Sequence, residues 1–213
     1  MDNRTTDMNE IYSKASRHLA RHEPIFKKII AAVGACTLQP DPKCFSVLAR
    51  SIVSQQISTK AANSIWSRLM ELCGTGDLNP KKLAAQTDAA IRSCGISAGK
   101  LLSLRSLSTH FLTNPVLKKG LENLPDEEVH EQLIPIRGIG PWTVQMFLIF
   151  SLGRLDVWPV LDLGVRSALR DHFDLELSTP LTELTARAEP WRPYRTIAAW
   201  YLWRSKELNP KKK

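Results

Sequence analysis

The sequence predicts an almost entirely α-helical protein. Helix-forming residues dominate, apolar residues recur at helical spacing, and alternating β-branched runs bounded by hairpin turns are missing. With 213 residues, 43% of them hydrophobic, the chain is long enough for one or two domains with a sizeable core. Only 23% are charged and no low-complexity tract occurs, which argues against wholesale disorder.

Along the chain, residues 8–33 predict one or two helices, with Ile11, Leu19, Ile25, Ile29, Ile30 and Val33 as apolar positions and Gly34 as the stop. A proline-rich break, LQPDP (38–42), follows. In CFSVLARSIVSQQIS (44–58), Phe45, Leu48, Ile52 and Val53 fall on one helical face. The polar run 58–74 continues as a helix to Gly74, and further helices fit 81–95, 98–114 and 125–136. Thr87 before Asp88 is a capping signal, and Pro125 with Asp126, Glu127 and Glu128 marks another helix start. WTVQMFLIFSL (142–152) is apolar nearly all round and predicts a buried central helix. An extended connection, DVWPVLD (156–162), leads into a helix over 163–173. The chain closes with a helix over 182–189, a turn at PWRP (190–193) and a helix over 194–204, for about ten short helices without repeats.

The net charge is +8, from 29 Lys and Arg against 21 Asp and Glu. A polyanion such as nucleic acid and an ordinary solvated surface both explain it, and the terminal KKK does not separate them. Cys36, Cys44, Cys73 and Cys94 stand far apart, with no C-x-x-C pair or His cluster, so a zinc site has no support. The N-terminus lacks an apolar signal core and no apolar run reaches about 18 residues, so no membrane partner is expected. An intracellular protein is expected, in cytoplasm and nucleoid if bacterial or in the nucleus if eukaryotic.

One stretch has chemistry written into it. In LIPIRGIGPWTVQMF (133–147) a hydrophobic-x-Gly-hydrophobic-Gly turn joins two helices. Gly140 opens the second helix, where N–H groups lack intrahelical acceptors and the helix end is positive, so a phosphate can approach. Ile136 and Ile139 would anchor the turn. A purely structural αα-turn explains the same residues, and the hexapeptide alone does not choose.

Three stretches together are more specific. SIVSQQIS (51–58), IRGIGPWTVQMFLIFSLGRLDVWPVLDLGVR (136–166) and PWRPYRTIAAWYLWR (190–204) resemble, in order and spacing, the helix–hairpin–helix (HhH-GPD) DNA glycosylase superfamily. The branch they resemble is that of 3-methyladenine DNA glycosylase II, in a compact form without an extra N-terminal domain. The resemblance implies an all-α fold of two helical lobes with a cleft between them. Residues 1–42 would pack with the C-terminal lobe, 43–150 would form the central lobe ending in the hairpin, and 151–213 would complete the second lobe.

The resemblance also implies roles. Asp162, before the helix start D-L-G-V-R, matches the catalytic aspartate; judged alone the residue reads first as an N-cap of the 163–173 helix, and a cap can still face a cleft. Many relatives carry a second acidic residue where Leu161 stands here. A carboxylate aimed at the deoxyribose stabilises positive charge as the N-glycosidic bond breaks, and it orients a water. Cationic bases such as 3-methyladenine or 7-methylguanine leave readily, so no separate acid is required. Trp142 stands where strand-cleaving relatives place a lysine, so no Schiff base or lyase step is expected. The last cysteine is Cys94, which excludes the C-terminal iron–sulfur cluster of other relatives, and no cofactor is implied.

The flipped base would sit against Trp142, Trp200, Met146 and Trp158, with core packing the competing explanation for each tryptophan. Trp203 and Tyr201 are expected in the core. Gly138, Gly140 and Thr143, with Ile136 and Ile139, form the DNA-binding hairpin. Gln56, Ile57 and Ser58 are wedge candidates for the emptied stack, with Ser58 also a helix cap. Arg166 and Lys60 would meet phosphates or be plain surface charges. Carbonyls of Ile134, Ile136 and Ile139 would hold Na+ or K+ beside a phosphate. The expected partner is double-stranded DNA containing alkylated bases or abasic sites, bound by a monomer. A non-catalytic binder of damaged or abasic DNA, using the same hairpin and wedge, is the competing function.

Overall fold

The computed structural model describes residues 3–74 and 76–208, so the C-terminal KKK lies outside the described residues. Among the described residues there are thirteen α-helices, one 3-10 turn and no strand. In chain order the helices are α1 (Asn3–His22), α2 (Pro24–Val33), α3 (Cys44–Ser54), α4 (Thr59–Cys73), α5 (Pro80–Ala84), α6 (Asp88–Ser93) and α7 (Ala98–Thr113). They continue with α8 (Pro115–Lys119), α9 (Asp126–Leu133), α10 (Pro141–Phe150), α11 (Leu163–Phe173), α12 (Leu181–Ala186) and α13 (Arg195–Leu208). None is long and apolar enough to cross a membrane.

Six of the helix starts are capped by side chains, which helps short helices persist. Ser58 accepts from the Ala61 N–H, Thr87 from Ala90, Ser97 from Lys100, and Asn79 from Lys82. The Thr87 cap splits the stretch expected as one helix over 81–95 into α5 and α6. The helix expected over 44–58 ends at Ser54, because Gln56 adopts a positive φ of 57° and Ser58 restarts the chain as a cap. Asn114, expected as the last residue of a helix, turns the chain into the additional helix α8. At the C-terminus α13 runs on to Leu208, four residues past its expected end at 204.

The chain divides into two compact units, residues 40–152 and a second unit of the flanking segments up to 39 and from 153. In the 40–152 unit α7 packs against α3 and α5, burying Leu48, Ile52, Leu83, Leu104 and Leu107, and α10 packs on α3 and α9. The helix α10 is not buried all round, contrary to its apolar sequence. Val144, Phe147, Leu148 and Ile149 face the core, whereas Trp142 is 39% and Phe150 36% exposed.

In the other unit α13 packs against α2 and α11. Trp191 sits at the centre of an aromatic cluster, edge-on to Phe26 at 5.1 Å and to Trp158 at 5.3 Å. Here α13 also grips the irregular 154–157 segment. The Thr196 N–H donates to the Leu155 carbonyl at 3.0 Å, and its hydroxyl donates to the Arg154 carbonyl at 2.7 Å. The same hydroxyl accepts the Val157 N–H at 3.0 Å. Beside it the guanidinium of Arg195 donates to both carboxylate oxygens of Asp156, at 2.8 and 3.1 Å, and to the Asp156 carbonyl at 2.9 Å.

Buried polar groups in this unit make its stability sensitive to alkali. Tyr12, 4% exposed, donates its hydroxyl to the Leu38 carbonyl at 2.9 Å. Burial pushes its pKa up from 10.0 to about 12, and burial pushes the neighbouring Cys36 thiol up from 9.0 to about 11. Both folded values lie above the unfolded ones, so the unfolded chain loses these protons first. Stability is intact below about pH 9 and declines as pH rises towards about 12. Urea unfolding should show a lower midpoint at about pH 11 than at about pH 8. Tyr12→Phe should flatten that pH slope and, by orphaning the Leu38 carbonyl, cost about 1–2 kcal/mol at neutral pH.

Candidate DNA-binding hairpin and catalytic carboxylate

The 136–140 turn is built from the core outwards. Ile136 and Ile139 are 1% and 6% exposed and anchor it, and the Ile139 N–H donates to the Ile136 carbonyl at 3.0 Å. Serines of α7 hold the other side, with the Ser106 hydroxyl accepting the Arg137 N–H at 3.1 Å. From the 55–58 turn, the Gln55 side-chain amide donates to the Gly138 carbonyl at 2.9 Å. Hairpin and wedge candidates therefore share one scaffold inside the 40–152 unit.

The two glycines do different jobs. Gly138 has φ +82°, and a Cβ there would lie 2.5 Å from the Ser103 hydroxyl oxygen and 2.9 Å from the Ser103 Cβ. Glycine is required at 138 by the turn and by its packing on α7. Gly140 has an ordinary φ of −112° and caps α10, and a Cβ on it would meet nothing within 4 Å. Its smallness serves no contact inside the protein. The first intrahelical bond of α10 runs from the Val144 N–H to the Gly140 carbonyl, so the amides before Val144 lie at the positive helix end.

The residues expected beside this turn separate by exposure. Trp142 lines an open cavity of about 360 Å³ with Ser51, Ser54, Gln55 and Gln56, so it is no core residue. Met146 is half-buried. Gln56 and Ile57 project from the turn, Ile57 at 37% exposure, while the Ser58 hydroxyl is engaged as the α4 cap. Lys60 is exposed. Thr143, at 3% exposure, turns its side chain to the core.

In the other unit Asp162 caps α11, its Oδ1 accepting the Val165 N–H at 2.9 Å. The same oxygen accepts the indole N–H of Trp203, from α13, at 2.8 Å. Trp203 is thus half-buried against the candidate carboxylate, which corrects its expected place as a plain core residue. Tyr201 is in the core as expected, its hydroxyl bonded to the Gly34 carbonyl. Trp158 and Trp200 are each 6% exposed and packed among other side chains. Trp158 fills the aromatic cluster, and Trp200 lies edge-on to Tyr201 with the Arg204 guanidinium 5.4 Å from its ring centre. Arg166 is half-buried with its Nε enclosed, while Leu161 and Leu163 on either side of Asp162 are 40% and 73% exposed.

Four neighbours of the candidate site escaped the sequence. Gln55 was one residue outside the wedge candidates, Ser103 and Ser106 looked like ordinary helix positions, and Trp203 was one aromatic among several. A polar residue facing a glycine turn from another helix has no local signature. Only the serine spacing of three along one face of α7 hinted at it.

Residues 49–193 match the HhH-GPD superfamily base excision DNA repair protein family. Among curated proteins, the chain is 32% identical over 210 residues to the alkylbase DNA glycosidase-like protein mag2 of Schizosaccharomyces pombe, covering 94% of this chain and 96% of that protein. It is 34% identical to DNA-3-methyladenine glycosylase 1 of the same yeast, over 92% of this chain and 88% of that one. A solved structure of S. pombe 3-methyladenine DNA glycosylase (Mag1) in complex with abasic DNA superposes with a TM-score of 0.81 at 34% identity, over 94% of this chain and 100% of that one.

The glycine asymmetry has a direct consequence. Gly138→Ala should destabilise the fold by about 1–3 kcal/mol, from a left-handed backbone and the clash with Ser103. Gly140→Ala should leave the thermal midpoint unchanged within error, a contrast that differential scanning fluorimetry reads directly. With its turn, its caps and its matched span all agreeing, the chain belongs to the HhH-GPD superfamily of base excision DNA repair proteins.

Proposed function

We propose that the protein is a monofunctional DNA glycosylase that hydrolyses the N-glycosidic bond of alkylated, cationic purines such as 3-methyladenine and 7-methylguanine. The observation that carries this reading is Asp162, a carboxylate oriented at one oxygen by two donors from different helices. Such a group stabilises the oxocarbenium-like sugar and orients the attacking water. The names of the relatives, a DNA-3-methyladenine glycosylase and an alkylbase DNA glycosidase-like protein, support the substrate class.

The partner is duplex DNA with alkylated bases or abasic sites, bound by a monomer. Gly140 and the first turn of α10 take a phosphate, and Gln56 and Ile57 enter the stack where the base has left. The exposed indole of Trp142 offers its face to the cationic base, with Met146 beside it on the same helix. Lys60 and Arg166 supply positive charge for the backbone. The carbonyls of Ile134, Ile136 and Ile139 are the proposed seat of Na+ or K+ in the hairpin. The Ile136 carbonyl already holds the Ile139 N–H, so a cation there would share that oxygen.

Methylated duplex DNA tests the reaction. The protein should release 3-methyladenine or 7-methylguanine, and Asp162→Asn should slow release by at least about 100-fold while still binding abasic duplex. Tight abasic binding without any base release by the parent would instead establish a non-catalytic damage binder. Borohydride should trap no covalent DNA complex, because Trp142 supplies no amine.

Gly140→Ala gives an independent test of the hairpin. Its affinity for abasic duplex should fall by about tenfold, the loss of one charge-assisted phosphate contact. An unchanged dissociation constant would assign Gly140 no part in docking.

A further inference from the structure

Resting on Asp162 as the reacting carboxylate, we propose that Trp203 is a positioning residue for it, and that Gly164 is small so that the indole can reach. An aspartate χ2 torsion is soft, so an N-cap bond alone leaves the carboxylate plane poorly defined. Here Oδ1 takes the Val165 N–H at 2.9 Å from α11 and the Trp203 indole N–H at 2.8 Å from α13. Two donors from different directions fix that oxygen and, with it, the orientation of the whole group.

Gly164 carries the second, independent observation. A Cβ built there would lie 3.0 Å from Asp162 Oδ1, 3.0 Å from Trp203 Cδ1 and 3.2 Å from Trp203 Nε1. It would intrude on the contact from both sides at once. Glycine inside a helix costs about 1 kcal/mol relative to alanine, and no left-handed backbone demands it at this position. The space it leaves is bordered by both partners of the indole–carboxylate bond.

The choice of donor fits the chemistry. An arginine or lysine would hold the carboxylate equally well but would cancel the charge that the cationic sugar needs. An indole N–H is a neutral, donor-only group: it orients the carboxylate and leaves its net charge in place. Nothing in helix capping calls for such a residue.

The test is single-turnover release of 7-methylguanine from methylated duplex, run beside the dissociation constant for abasic duplex and thermal melting. Trp203→Phe keeps the ring and removes the N–H, whereas Gly164→Ala keeps the N–H and closes the gap. Each should lower the rate constant by about 10- to 100-fold, the effect of one hydrogen bond to a charged group. Abasic binding should stay within about twofold, and the double variant should be no slower than the slower single one.

A Trp203→Phe protein at the parent rate would overturn the proposal, as would a loss confined to binding, or single losses that multiply in the double variant. Trp203→Phe stands as the test by itself if Gly164→Ala does not fold. A parent that releases base no faster than Asp162→Asn defeats the assignment of Asp162, and the role of Trp203 goes with it. An active parent and an inactive Asp162→Asn beside a fully active Trp203→Phe defeat the Trp203 role alone.

Discussion

The grip of α13 on the segment that leads to Asp162 is the constraint on which the candidate chemistry depends. Near its start, Thr196 and Arg195 bind the backbone and carboxylate of residues 154–157. Two turns later Trp203 binds the Asp162 carboxylate itself. An irregular connection has no ladder of its own to satisfy its amides, so it stays in one place only where something else supplies the partners. One helix supplies them here, and it is itself packed against α2 and α11. The carboxylate therefore inherits the rigidity of a helical core although it stands at the end of a loop.

The hairpin follows the same logic with different parts. Buried Ile136 and Ile139 seat it from below, α7 serines meet it from the side, and the Gln55 amide holds the Gly138 carbonyl. Its backbone is thus committed by the protein, while a Cβ on Gly140 would meet only open space. A surface that presents helix-end amides without side-chain cover is suited to an anion, and rigid placement spares the ordering cost on binding. The two glycines thus divide the labour: Gly138 serves the turn and its packing on α7, and Gly140 leaves the start of α10 uncovered.

Much of the helical order was legible in the sequence, because caps and apolar spacing act locally. Thr87 and Ser58 announce helix starts by their own hydroxyls, and each is found capping where its position suggests. The misjudgements fell where a local rule met a tertiary one. WTVQMFLIFSL looks buried on every face, yet Trp142 and Phe150 open to solvent, because apolarity does not say which neighbours a helix has. Thr143 sits in a motif associated with DNA and is nonetheless turned to the core, since hairpin helices bury one face in three or four residues.

By itself the sequence determined the all-α class, the family, the hairpin position and Asp162 as the group to watch, since each is carried by residue order and spacing along a single stretch. Only the tertiary structure decided which aromatic serves which purpose. Trp158 and Trp200 fill cores, Trp142 lines a cavity, and Trp203 holds the carboxylate. Four indoles are the same letter in a sequence. What separates them is the direction each points and the partner that waits there, and those are set by contacts between residues as far apart as 162 and 203.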